Sequence, residues 1–242
     1  MEKTILWLVK FFDKEEYADE FLRGRLLMRR MSYFQKLEDV SGDGRADRHE
    51  GVATLLQPSG VHIEFRDHPE LNIHPENLAS PVLMRFEHHQ SLYLFCTTAI
   101  HTGKFGWVDG QIEYVKGQEV EVKEQIRIHE DCLRFGPFAV ITKAAEFILQ
   151  AKKVIEAHGI YNSTLVEYYD PESFNGNIPW NEIPFHKPIW FANQSEYRIA
   201  VDRKIIDDSD SWPVSIGDIR QFSAKLQSSQ INGLFQFSLE DV

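Results

Sequence analysis

The sequence predicts a single α+β domain spanning residues 1–242. Three observations lead there. Segments of strand character outnumber segments of helical periodicity, the two kinds do not alternate strictly, and no repeat, low-complexity tract or linker divides the chain. A chain of 242 residues can bury one substantial core. Its 43% hydrophobic and 26% charged fractions are those of a globular protein and argue against disorder. Seventeen Phe, eight Tyr and five Trp imply either a well-filled core or an aromatic-lined pocket.

Residues 4–12 (TILWLVKFF) are β-branched and aromatic and predict a buried strand. Asp13 is placed to cap a helix over 14–23, with Glu15 and Glu16 in its first turn and Gly24 as its stop. A strand over 26–28 follows, then a short helix through Leu37 entered by a Ser32/Gln35 capping box. Residues 39–50 form a Gly- and Asp-rich loop. Strands are expected near 52–57 and 61–66 around Pro58-Ser59-Gly60, and residues 67–81, with three prolines, read as a surface loop. Residues 92–98 (LYLFCTT) give the strongest mid-chain strand, with others expected at 112–116, 125–129 and 138–142. Ala144, Phe147, Ile148, Ala151 and Ile155 fall on one helical face before Gly159, so 143–158 predicts an amphipathic helix. Residues 170–189, with four prolines, read as loop; 196–202 alternates as a strand; 216–228 predicts a helix and 233–239 a last strand.

The net charge of −11 argues against broad, non-specific nucleic-acid binding, which needs Lys and Arg to displace counterions. Arg23, Arg25, Arg29 and Arg30 form a local exception, either a solvated surface or a basic patch. Cys96 and Cys132 lie in apolar surroundings and read as reduced, buried thiols. The apolar run at 5–9 is too short for a signal or a membrane span, so a cytoplasmic protein is expected, with no membrane partner.

The segment 39–50 (DVSGDGRADRHE) fits a calcium-loop spacing: Asp39, Ser41, Asp43 and Glu50 at positions 1, 3, 5 and 12, and Gly44 at the turn. Ala46 at position 8, a strand-like exit and the lack of a second hand count against it, leaving a mobile acidic loop as the other reading. The same segment holds Arg45-x-Asp47-x-x-Glu50-Gly51, where Arg45 can pair with carboxylates or clamp a phosphate. The histidines are poorly arranged for zinc: His88 and His89 are adjacent, and His62, His68 and His74 are irregularly spaced. No nucleophile elbow, Walker loop or dinucleotide glycine fingerprint is present. No metal site is therefore assigned. What remains is Gln194-Ser195-Glu196-Tyr197-Arg198, after the aromatic loop Lys187-Pro188-Ile189-Trp190-Phe191. Gln194 and Glu196 share a face if the strand has already begun. A carboxylate there can hold a sugar hydroxyl or stabilise an oxocarbenium cation, and the amide can orient a nucleophile. The other reading is an exposed strand start with Glu196 and Arg198 as a same-face ion pair.

Gln194-x-Glu196 at the mouth of a late strand resembles the catalytic segment of ADP-ribosyltransferases. Phe95-Cys96-Thr97-Thr98 is similar to their aromatic-x-Ser/Thr-Ser/Thr strand, and Lys10-Phe11-Phe12 stands where they carry an Arg or His beside an aromatic. The chain also resembles uncharacterised bacterial proteins, some of them phage-defence toxins, that share the Lys-aromatic strand end, a Gly-x-Leu strand, the Asp-x-x-Glu-Gly corner and the late strand. The resemblance implies two small, mainly antiparallel sheets forming a central cleft, with peripheral helices. It implies NAD as substrate, with Glu196 and Gln194 catalytic and Lys10, Thr97, Thr98 and Arg45 contacting the cofactor. The acceptor it implies is a nucleic acid or a protein, with an antitoxin or a phage protein as a further partner.

Two other classes stay open. A non-enzymatic binding or regulatory module of a defence system expects Glu196 salt-bridged to a cation, with no adjoining pocket. A metal-dependent nuclease expects Asp39, Asp43, Asp47 and Glu50 clustered within metal reach.

Overall fold

The β-branched, aromatic N-terminal run forms β1 (Ile5–Phe12), and α1 (Glu15–Leu22) and β2 (Arg25–Arg30) follow at once. This is a computed structural model, and it describes residues 3–36, 47–108, 110–204 and 209–235. Lys14, not Asp13, holds the N-cap position of α1, and no side chain caps it. Gly24 ends that helix at φ +81°, where a Cβ would lie 1.8 Å from the Gly217 carbonyl oxygen. Next come α2 (Met31–Lys36), β3 (Thr54–Leu56), β4 (Val82–Met84), α3 (Glu87–Gln90) and β5 (Tyr93–His101). The expected capping box does not form, because α2 runs directly out of β2 and the Gln35 amide donates instead to the Glu50 carbonyl.

The middle of the chain supplies β6 (Gly106–Val108), β7 (Gln111–Glu113), α4 (Glu119–Ile126), α5 (Glu130–Leu133), β8 (Phe138–Lys143) and α6 (Ala144–Ile155). The last part gives β9 (Ile160–Leu165), β10 (Glu167–Tyr169), β11 (Gly176–Asn177), β12 (His186–Pro188), β13 (Glu196–Asp202), β14 (Ser211–Ser215) and β15 (Ser223–Gln227).

Several expectations are corrected. Residues 61–66 form no strand and keep only the single bridge Ile63–Ile73. The stretch at 125–129 is the end of α4 and its exit. Residues 216–228 are not a helix. Gly217 takes φ +88°, the Gln150 amide donates to the carbonyls of Ile216 and Gly217, and 223–227 pairs with β8. Residues 228–233 form a 3₁₀ turn, and the remainder of the expected last strand, 236–239, lies outside the described residues.

The α+β class holds, with mainly antiparallel pairing. In place of two small sheets there is one eight-stranded sheet, in the order β14-β2-β5-β1-β8-β15, with β13 and β9 branching from β5. Among the described residues three minor sheets accompany it: β11-β3-β4, β6-β7 and the parallel pair β10-β12. Strand β5 is the branch point. β13 runs along one edge of it from Tyr93 to Thr98. On the other edge β2 pairs with Tyr93 and Leu94, and β1 pairs from Thr98 to His101. Between these two partners, Phe95, Cys96 and Thr97 face an opening where β1 and β2 diverge.

Helices α1 and α6 cover one face of the sheet, burying Phe21 and Phe147 against Leu8, Phe95, Tyr197 and Ile199. The opposite face carries a second cluster around Val9, Phe11, Ile100, Ile126 and Cys132. Strand β13 is buried throughout except at Asp202, so its polar residues Glu196 and Arg198 must find partners inside the protein.

Candidate functional site

Backbone amides satisfy one another along a closed sheet, but the diverging strands leave the Cys96 carbonyl without a strand neighbour on that edge. Lys10 supplies the missing donor: its Nζ lies 2.7 Å from that carbonyl, and 4.9 Å from the Phe95 ring centre. The opening is a cavity of about 130 Å³. Its polar lining includes Lys10, Thr97, Thr98, Lys187, Gln194 and Glu196. Val9 and the rings of Phe11, Phe34 and Phe135 make the apolar part.

Of the residues expected at the site, Lys10, Thr97, Thr98, Gln194 and Glu196 thus meet at one cavity. Arg45 lies outside the described residues, as do Asp39 and Asp43. The route by which Gln194 and Glu196 meet differs from simple strand alternation. Gln194 ends a 3₁₀ segment, Ile189–Gln194, and Ser195 turns the chain at φ 44°, ψ 50° before β13 begins. A left-handed serine is strained. It is held because its amide donates to Ala192 and its hydroxyl donates to the Ala99 carbonyl at 2.9 Å. Lys187 on β12 then joins the two side chains: its Nζ lies 2.9 Å from Gln194 Oε1 and 3.1 Å from Glu196 Oε2.

Glu196 is also bound by Arg198, two residues on and on the same face, with Nε 2.5 Å from Oε1. The Glu196 amide donates to the Tyr168 hydroxyl at 2.9 Å. Arg198 in turn reaches Glu50, Nη1 to Oε1 at 2.6 Å and Nη2 to Oε2 at 2.9 Å, and gives Nη1 to the Pro184 carbonyl at 2.6 Å. With Nη2 also 3.4 Å from Glu196 Oε2, all five guanidinium N–H groups are used. Arg198 is 1% exposed, so it is a structural tie between β13 and the 47–51 corner.

Burial alone would raise the Glu196 carboxyl, but Arg198 and Lys187 outweigh it and hold it far below the usual carboxylate range. Glu196 is therefore an anion at the cavity wall. Burial, with the Glu196 charge next, pushes the Cys96 thiol up to about 12, and burial pushes Cys132 up to about 11. Both cysteines are free thiols, Cys132 buried and Cys96 half-buried. Asp47 is raised by burial against the opposing charge of Lys187. Its Oδ1 accepts the His49 amide at 2.8 Å, while Oδ2 has no hydrogen-bond partner among the described residues.

The calcium-loop and nuclease readings both need Glu50 as a ligand, and both its oxygens are committed to Arg198. Among the described residues no group of three His, Cys, Asp or Glu side chains is placed to hold a metal ion. The expectation of an exposed strand start at Glu196 is also corrected, since Glu196 is 6% exposed. Lys187 was hidden in a segment read as loop; a lysine flanked by Phe185, Pro188 and Ile189 was its one local signal. Tyr168 gave none.

Fold and site define a mixed α/β protein whose mainly antiparallel sheet opens into a cavity walled by an ionised glutamate and two lysines. No helix among the described residues is long and apolar enough to cross a membrane. No known protein family, curated protein or solved structure matches the chain.

Proposed function

We propose that the chain is an NAD-dependent ADP-ribosyltransferase acting as a bacterial toxin or phage-defence effector. The observation that carries this reading is the convergence of Thr97, Gln194 and Glu196, with Lys10 and Thr98, on one cavity. In this reading the nicotinamide-ribose end of NAD enters the opening beside β5. The bond between the ribose C1′ and the pyridinium nitrogen breaks, and its electron pair leaves with nicotinamide. The Glu196 carboxylate faces the positive charge that develops at C1′. The 3.4 Å contact from Arg198 Nη2 is the longest one to Glu196, and a ribose hydroxyl replaces it. Gln194, fixed by Lys187, orients the acceptor whose nucleophilic atom bonds to C1′ and gives up its proton to solvent. The net charge of −11 favours a protein acceptor over a nucleic acid, and an antitoxin or phage protein would be the regulatory partner.

One observation favours a second reading. Both Glu196 oxygens are engaged by cations, as expected of a non-enzymatic binding or regulatory module of a defence system, although a cavity does adjoin them. Incubation with NAD labelled in its adenylate half and cell extract, followed by protease or nuclease digestion, separates the two. Label that becomes covalently attached supports transfer and identifies the acceptor class. Saturable NAD binding with no covalent label supports the binding module.

A further inference from the structure

We infer that the cavity beside β5 takes a single planar ring bearing an anionic carboxylate oxygen, and that Lys187 is the residue that selects it. The inference concerns what the cavity holds and stands whether or not ADP-ribose is transferred. Its size comes first. A cavity of about 130 Å³ is close to the roughly 150 Å³ engineered cavity that admits benzene. It is well below the roughly 300 Å³ at which sites for larger ligands begin. The apolar wall is aromatic: Phe11, Phe34 and Phe135 line it, with Phe11 and Phe135 at 6.2 Å in an edge-on pair. Such walls suit a flat ring with offset or edge contacts.

The polar wall fixes the rest. The guanidinium of Arg198 has no donor left for a ligand. Thr97 donates its hydroxyl to the Tyr197 carbonyl at 3.3 Å. Lys187 differs. Its side chain is 5% exposed, and its ammonium has three N–H groups. Two go to Gln194 Oε1 and Glu196 Oε2. Among the described residues the third meets no oxygen, and the face of Phe191 lies 4.3 Å from Nζ. A buried cationic donor with a spare proton calls for an acceptor, and a carboxylate oxygen answers its charge as well as its geometry. Lys10 and the Glu50-paired Arg198 also line the cavity, so its cations outnumber the single carboxylate of Glu196 there.

The test uses benzoate, benzyl alcohol and inorganic phosphate as probes of the full chain, followed by ligand-observed NMR, with circular dichroism to check folding. The expected result is saturable binding of benzoate about tenfold or more tighter than benzyl alcohol, with no saturable binding of phosphate. Lys187→Met is expected to remove the benzoate preference while still binding benzyl alcohol, and Lys187→Arg to keep part of it. Because benzyl alcohol binding itself reports an intact cavity, a misfolded variant is recognised, and Lys187→Arg then carries the comparison. Equal affinity for benzoate and benzyl alcohol in wild type, a preference surviving in Lys187→Met, or no saturable ring binding at all would overturn the inference. Both ligands would occupy the cavity beside β5, so ring binding and NAD labelling are measured separately: absence of label leaves the benzoate preference standing, and absence of ring binding leaves the labelling result standing.

Discussion

Arg198 grips Glu50 with both ends of its guanidinium, at 2.6 and 2.9 Å, across a sequence separation of 148 residues. Glu50 is 1% exposed, and among the described residues Arg198 is the side-chain cation at hydrogen-bond distance from its carboxylate. The pair fixes the 47–51 corner against β13 and so positions the wall on which Glu196 stands.

Removing one partner leaves the other charged and buried. Glu50→Met is expected to lower the unfolding free energy by about 3–5 kcal/mol, read from the urea midpoint. Glu50→Met combined with Arg198→Met removes both charges and is expected to be more stable than Glu50→Met alone. A double variant with the summed loss of the two singles would show that the pair is not coupled.

Glu196 gives stability a pH dependence of known sign. Its folded carboxyl lies below the usual range because Arg198 and Lys187 outweigh the burial that raises it, whereas the unfolded value is about 4.3. The stabilisation is therefore complete above about pH 5 and is lost as pH falls through about 4 toward the folded value. Between about pH 5 and 3, wild type is expected to lose stability more steeply than Glu196→Gln in chemical denaturation. Parallel curves would contradict the assignment.

Asp47 has the opposite sign. Burial raises its folded carboxyl, so the folded protein keeps a proton that the unfolded chain releases at about pH 4. Stability then declines as pH rises past that point. Asp47→Asn keeps the acceptor for the His49 amide without the charge. It is expected to be more stable than wild type at pH 7 and to lose that advantage at pH 3. Greater stability of wild type at pH 7 would mean that the Asp47 charge is a net benefit there.

Both thiols are held protonated at neutral pH, Cys96 pushed up to about 12 and Cys132 to about 11. The thiolate is the reactive form. A disulfide reagent at pH 8 is expected to titrate neither cysteine in the native protein and both in guanidinium. Fast native reaction of Cys96 would show that the cavity wall opens on the timescale of the assay.

Elements built from local periodicity were legible in the sequence. The alternating run at 196–202, the aromatic run at 4–12 and the helical face of α6 declare themselves within a few residues. Residues 216–228 misled because Ile216, Ile219 and Phe222 have helical spacing, while Gly217 and the tertiary partner β8 decide the conformation. Strand β14 was missed because Pro213 sits inside it, and an edge strand tolerates a proline that cannot donate to its neighbour. At the site, the segment with Gln194 and Glu196 and the pair Thr97-Thr98 could be read as chemistry-bearing residues. Their meeting at an opening in β5 is a property of the sheet's topology, which no local pattern carries. Lys187 depends on a 3₁₀ turn and a left-handed serine to reach Glu196, and these are tertiary features too.

The proposed transfer requires Glu196 as the carboxylate that assists it. Wild type and Glu196→Gln, each shown to be folded by circular dichroism, are incubated with adenylate-labelled NAD and cell extract. Covalent label with wild type and its loss in Glu196→Gln is the predicted result. Equal labelling by both proteins, or labelling by neither, would contradict it.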